Sequence, residues 1–468
     1  METAARLAGD DTGAGDALLR KADSVQVVDI MGWATPNPAL DLARRLGAAS
    51  AETAVSTVGG NSPQMLVNDA AADILAGRRD VVIIAGTHAV HSRHVAHRTG
   101  ASLAWPEPAD APPPDRVVGV DRMGMTEAEA ARSLLLPIQV YPIFETAIRL
   151  AAGASIAEHQ ARVSGFWARF SSVASTNPHA WDQVAHSASE ISTAGPSNRW
   201  IGWPYTKLMN ANIATDQAAA LVLTSVSTAQ SLGIPSDGWV FPWSGADSHD
   251  HWFVSDRWHL GTSPSMALNA RAALGHVRMG IDEIARLDLY SCFPSAVQMG
   301  AAALGFSLDD ADRVGTVTGG LAFAGGPGNN YVTHSIASMA SALRSSGSSP
   351  GCVGLVSALG WYATKHSVGL YSTRPPAQPF ATFKTQAEVD ETPSRQAVPG
   401  YTGPAAVETW TVVHERDGSP SLGIVACLTP DGGRVWANTR RADNLAALMT
   451  LETGGQPAAV EPDGELKL

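Results

Sequence analysis

The sequence predicts an α/β protein made of two similar halves followed by a smaller β domain, and three observations carry that reading. First, residues 24–31 and 80–86 are short apolar runs flanking residues 63–77, where Met65, Leu66, Ala70, Ile74 and Leu75 fall on one helical face between a proline start and a glycine stop. Strand, helix, strand is the α/β pattern. Second, the layout returns in the other half: Asp288-Leu289-Tyr290 ends a strand, residues 319–344 hold a glycine-rich turn and a helix, and residues 352–358 read as a buried strand. Third, after Arg374-Pro375-Pro376 the helical period gives way to strand-like runs at 409–415, 421–428 and 434–439, separated by Asp417-Gly418 and Asp431-Gly432-Gly433 turns.

These elements predict three units. Residues 1–236 form a first half, with an insertion at about 91–205 that is rich in tryptophan and proline. It contains Trp105-Pro106-Glu107-Pro108 and a helix over 158–171 carrying Phe166, Trp167 and Phe170. Residues 237–375 form the second half and 376–468 the β domain. A chain of 468 residues exceeds the roughly 250–300 that one core supports, so several units are expected.

Composition narrows the function. A net charge of −12 with no long Lys/Arg run argues against nucleic acid or an anionic membrane as partner. Cys292, Cys352 and Cys427 are too few and too scattered for a disulfide framework, and no Cys-x-x-Cys zinc pattern occurs. No apolar run reaches the roughly 18 residues of a membrane span, and no basic segment followed by an apolar one opens the chain. The expectation is a cytoplasmic protein with no metal and no resident cofactor.

Several motifs in order resemble the thiolase superfamily, most closely its sterol-carrier-type thiolase-like proteins. They are Gly59-Gly60-Asn61-Ser62 before a helix, Ile74-Leu75-Ala76-Gly77, Val82-Ile83-Ile84-Ala85-Gly86, Asp216-Gln217-Ala218-Ala219-Ala220, Tyr290-Ser291-Cys292-Phe293, Gly319-Gly320, Gly325-Gly326-Pro327-Gly328, and the last strand into Gly360. The resemblance spans about residues 10–372. It implies two mixed sheets in a five-layered duplicated fold, an active site where the halves meet, and a CoA thioester as substrate or ligand; family members are commonly dimers or tetramers, and whether this chain forms a homo-oligomer stays open. It also implies an N-terminal strand ahead of the matched region, for which this chain begins too late. The C-terminal domain resembles the OB-type barrels that accompany some thiolase-like enzymes.

Thiolase chemistry has four parts, and none of them keeps its expected residue here. The turn that carries the nucleophilic cysteine at a helix N-terminus is Gly60-Asn61-Ser62. Ser62 before Pro63 reads as an N-cap rather than a substitute nucleophile. The Gly-His-Pro histidine is replaced by Gly326, and the position that aims a donor at the thioester oxygen is Tyr290, either a hydrogen-bond donor or a packing residue. The second cysteine is missing from the stretch ending at Gly360, with His366 nearby as a proton carrier or a loop residue. Cys292 is a packing residue or a reactive thiol. His334 and Lys207 read as a helix residue and a possible phosphate contact.

The candidate catalytic set is therefore Tyr290, Cys292 and His366, and the candidate binding set is Gly60, Asn61, Ser62, Gly326, Asn329, Asn330 and Gly360. Three functions stay open: an acyl-CoA acyltransferase of the acetyl-CoA acetyltransferase family with altered chemistry, a non-catalytic acyl-CoA binding protein, and a retro-aldolase acting on a β-hydroxyacyl-CoA.

Overall fold

Apolar strands that alternate between two buried faces build this molecule in layers. The computed structural model describes residues 1–33, 35–105, 111–346 and 351–468. Trp105 is described, but Pro106-Glu107-Pro108 of the proline-rich motif lie outside the described residues. The first sheet has the order Arg116–Val118, Glu52–Ser56, Ser24–Val27, Val81–Ala89, Asp216–Thr224, with four parallel strands and the last antiparallel. Along Val81–Ala89, Val82 and Ile84 enter one apolar cluster while Val81, Ile83 and Ala85 enter another. Burial on both faces explains why the run is continuously apolar in sequence. Ahead of Ser24 the described residues form the helices Glu2–Asp11 and Asp16–Leu19.

The second sheet has the order Ala381–Lys384, Phe241–His249, Lys365–Ser372, Val353–Gly360, Ile284–Asp288. Its edge strand Ala381–Lys384 pairs parallel with Phe241–His249, so the sheet runs on past the Pro375-Pro376 break that reads as a boundary in sequence. Between the two sheets lie the helices Ser62–Leu75 and Tyr331–Arg344, which touch strands of both. Glu2–Asp11 and Pro38–Leu46 cover the outer side of the first sheet, and Pro264–Val277 covers that of the second. Helix, sheet, helix, sheet, helix makes the five layers.

The third sheet contains Arg434–Thr439, Pro420–Leu428, Gly403–His414, Pro457–Val460 and Leu466–Lys467 in that order. A bridge between Asn438 and Glu465 brings its two ends together. It also takes the strand Trp200–Trp203 from the insertion, pairing Val412 with Trp203 and Val413 with Gly202. Arg434, fully buried, ties this sheet to the second half: its guanidinium pairs with both carboxylate oxygens of Glu408 at 2.6 Å and donates to the carbonyl of Ser255 at 3.0 Å.

The insertion contributes to the core. Phe166, Trp167 and Phe170 on Ile156–Thr176 are buried in the main cluster, with Trp167 and Phe170 stacked at 5.4 Å. Its helices are fixed by a buried polar knot around Glu145 on Pro137–Ala151. Tyr205 donates to Glu145 at 2.5 Å, Gln298 donates at 2.6 Å, and His159 completes the set. No described helix is long and apolar enough to cross a membrane.

Removing the carboxylate leaves Tyr205, Gln298 and His159 buried without their acceptor. Glu145→Ala is therefore expected to lose about 3–5 kcal/mol of stability, read as a lower denaturant midpoint in the unfolding curve.

Candidate functional site

Glycines let the two halves approach until backbone meets backbone. A methyl group added at Gly60 would lie 2.1 Å from Tyr290 Oη and 2.7 Å from the carbonyl of Leu359. One at Gly360 would lie 2.7 Å from Asn61 Oδ1 and 2.9 Å from Gly59 Cα. The turn matched to the nucleophile and the stretch matched to the second cysteine thus face each other, and each position is closed to a side chain by its neighbours.

Tyr290 follows Ile284–Asp288, and its ring meets Tyr331 edge-on at 5.5 Å. Its hydroxyl forms no hydrogen bond among the described residues. Burial raises its pKa well above the ordinary phenol value, so it holds its proton and remains a donor. Asn61 Oδ1 is buried without a partner, as are Asn330 Nδ2 and Trp361 Nε1. Asn329 is satisfied: its Oδ1 accepts from Gly59 N at 3.0 Å, and its Nδ2 donates to Asp29 Oδ1 at 2.9 Å. Gly326 donates its N–H to Asn212 O at 2.9 Å, one strut of the turn that lacks the family imidazole.

Two expectations need correction, those for Ser62 and His366, while burial favours the packing alternative for Cys292. Ser62 is not the cap: Asn61 precedes the helix, and Ser62 is its first residue, with its hydroxyl donating to Thr57 O at 2.9 Å. Cys292 is buried, and burial pushes its thiol up to about 12, so it is protonated at neutral pH. His366 is neither a loop residue nor beside the turn. It sits inside Lys365–Ser372, paired opposite Leu359, and its Nε2 lies 3.1 Å from Asp250 Oδ2 beneath the sheet. A void of about 30 Å³, room for a water, is lined by Tyr290 and His366.

Alternation along that strand puts Lys365, the previous residue, on the side that His366 leaves. Lys365 Nζ donates to Val58 O at 2.8 Å, Val120 O at 2.6 Å and Thr57 Oγ1 at 3.2 Å, gripping the start of the glycine turn. Burial pulls its pKa down to about 8. Sequence reasoning passed over it, although Gly360 is its register partner. His88 was missed too. It stands two residues after Gly86 on one strand face, and a methyl at Gly328 would meet its Nδ1 at 2.8 Å.

The loop after Gly360 is strained and held. Trp361 and Ala363 have φ of 56° and 50°, left-handed values that cost a non-glycine residue about 1–2 kcal/mol. Tyr141 Oη donates to Trp361 O and accepts from Ala363 N, both at 2.9 Å, and Arg257 donates to Tyr362 O at 2.7 Å and Thr364 Oγ1 at 2.8 Å.

A second cavity, about 1560 Å³, runs along Asp216–Thr224 and reaches Gly325 at one end. Leu7, Ile74, Trp239 and His334 line it. Burial lowers the His334 pKa to about 4. Lys207 is exposed at the start of a 3-10 turn.

The family described as the thiolase-like protein type 1 additional C-terminal domain matches residues 384–465. Among solved structures, a monomeric SCP2-thiolase like protein type 1 from Mycobacterium smegmatis is 31% identical, with 100% of this chain and 95% of that one covered and a TM-score of 0.85. The dimeric peroxisomal thiolase of Saccharomyces cerevisiae (14% identity, 76% and 86% covered, TM-score 0.51) and the Ltp2-ChsH2(DUF35) aldolase (18%, 76% and 88%, 0.56) share the fold. No curated protein matches the chain.

Gly60→Ala is expected to destabilise the protein by about 1–3 kcal/mol through overpacking. Adding Tyr290→Phe should recover part of that loss in a double-mutant cycle, since the Leu359 carbonyl remains in the way. For Lys365, the native state binds its proton less tightly than the unfolded chain does, so stability rises with pH between about 8 and the unfolded lysine value. Unfolding curves across that window should show this rise in the wild type and lose it in Lys365→Met.

Proposed function

Because this chain belongs to the SCP2-thiolase-like protein type 1 family, we propose that it binds CoA thioesters at the facing glycine turns and carries out no cysteine-dependent thiolysis. The observation that carries this is the set of polar atoms left without partners around those turns. Asn61 Oδ1, Asn330 Nδ2 and Trp361 Nε1 are the buried groups concerned, with the Tyr290 hydroxyl beside them. Buried polar atoms are satisfied in the great majority of cases, and a local run of exceptions calls for a ligand or ordered water. A thioester with its flanking pantetheine amides supplies both donors and acceptors. The closed positions at Gly60 and Gly360 support the second clause, because neither can take a thiol without displacing its neighbour.

The cavity that ends at Gly325 offers room for an acyl chain longer than acetyl. The C-terminal sheet, with its ends joined at Asn438 and Glu465, reads as an OB-like unit.

A second reading, retro-aldol cleavage of a β-hydroxyacyl-CoA, is favoured by one feature: the Tyr290 hydroxyl is protonated, unpartnered and placed at the nucleophile's turn. Such a phenol can pass a proton to or from a β-oxygen.

Titration calorimetry with acetyl-CoA and a long-chain acyl-CoA should give saturable heat, and absence of heat with both refutes the binding reading. Acetoacetyl-CoA thiolysis should match the buffer rate. Tyr290→Phe should weaken thioester binding about tenfold, the worth of one buried hydrogen bond. If the wild type cleaves a β-hydroxyacyl-CoA and Tyr290→Phe cleaves it equally well, the second reading loses its proton carrier.

A further inference from the structure

The strand Val81–Ala89 runs directly into the helix Val90–Thr99, at the carboxyl end where open α/β sheets place their ligands. Residues 91–98 read HSRHVAHR: His91, Arg93, His94, His97 and Arg98 make five of eight positions, without one acid, in a chain of net charge −12. All five side chains are exposed, while Ala96 faces inward. Among the described residues no carboxylate pairs with Arg93 or Arg98. The nearby Asp216 is occupied, accepting from Ser92 N at 3.0 Å and Ser92 Oγ at 2.6 Å.

This basic face borders the glycine turns. The Arg93 guanidinium lies over Gly32, where an added methyl would fall 1.7 Å from Nη1. Gly32 belongs to the same loop as Asp29, which holds Asn329, which in turn accepts from Gly59 N. At the helix start the His91 ring packs 5.4 Å from Trp181, whose indole is 39% exposed. Guanidinium groups match phosphate geometry, and an exposed indole offers a stacking face for a purine.

We propose that Arg93, Arg98 and Trp181 bind the phosphorylated adenine nucleotide end of a CoA thioester. This rests on the reading that the glycine turns hold the thioester, and it assigns the other end of the same ligand. The nucleotide lies across the exposed helix, its phosphates on the two arginines and its base against Trp181. The pantetheine then passes over Gly32 towards Asn329 and Gly59.

Calorimetry with acetyl-CoA, dephospho-acetyl-CoA and acetyl-pantetheine tests it, on the wild type, Arg98→Ser, the Arg93→Ser/Arg98→Ser pair and Trp181→Ala. Lys21→Ser serves as a distant control, and circular dichroism checks folding. Acetyl-CoA affinity should fall about tenfold in Arg98→Ser, further in the pair, and about tenfold in Trp181→Ala. Acetyl-pantetheine binding should be unchanged in all variants, and dephospho-acetyl-CoA should bind the wild type more weakly than acetyl-CoA. Acetyl-CoA affinity within twofold of wild type in the folded Arg98→Ser and Trp181→Ala proteins overturns this proposal and leaves the thioester reading standing. No binding of acetyl-CoA or acetyl-pantetheine to the wild type overturns both.

Discussion

The approach of Gly59, Gly60 and Gly360 is the contact on which the rest of the molecule depends. Two half-structures, each with its own sheet, share the middle helices, and at one point their backbones come within reach of each other with no side chain between. Everything around that point is arranged to hold it. Lys365 reaches over from the second sheet to the residues leading into the turn, and Asn329 fixes the turn from the other side. Tyr141 and Arg257 clamp the strained loop that follows Gly360. Close packing of this kind has two discrete outcomes, fitted or displaced, with little between.

That geometry also redirects the chemistry. A thiolase needs a thiolate at the turn and an acid on the facing strand. Here the same two places are taken by a phenol and an amide oxygen, with an ammonium close behind. Such groups donate and accept hydrogen bonds well and attack carbonyls poorly at neutral pH. The remaining thiol near the site, Cys292, is kept protonated by burial. The residues at the catalytic positions differ from the family's while the sheets and helices beneath them keep its arrangement.

Much of the architecture was legible because it obeys short-range rules. The runs at 80–86, 216–225 and 352–358 emerge as Val81–Ala89, Asp216–Thr224 and Val353–Gly360, since continuous apolar stretches bounded by glycine and charge suit doubly buried strands. Ala381–Lys384 was not legible, because four half-buried residues after two prolines show no periodicity; only the neighbouring strand makes them a strand. The site was legible as loss, since missing cysteines and a missing histidine can be read directly. Which residues replaced them was not. Whether Lys365 or His366 faces the turn depends on the parity of an antiparallel register, and a one-residue difference reverses the face. His88 and Asn330 meet across the halves at Gly328 and Gly86, a proximity that no local pattern encodes.

The strand Trp200–Trp203 has a consequence for how the chain is made. Its partner segment, Gly403–His414, lies roughly 200 residues further along, so the pairing is among the most non-local in the molecule. During synthesis the insertion emerges long before the residues that complete its edge, and Trp203 and the Glu145 helix wait with an uncovered apolar face until the last quarter of the chain is available. The C-terminal sheet therefore completes the insertion's edge rather than standing apart from it. A chain interrupted near residue 400 would leave an open strand edge and exposed tryptophan, the surface that aggregation and chaperones both recognise.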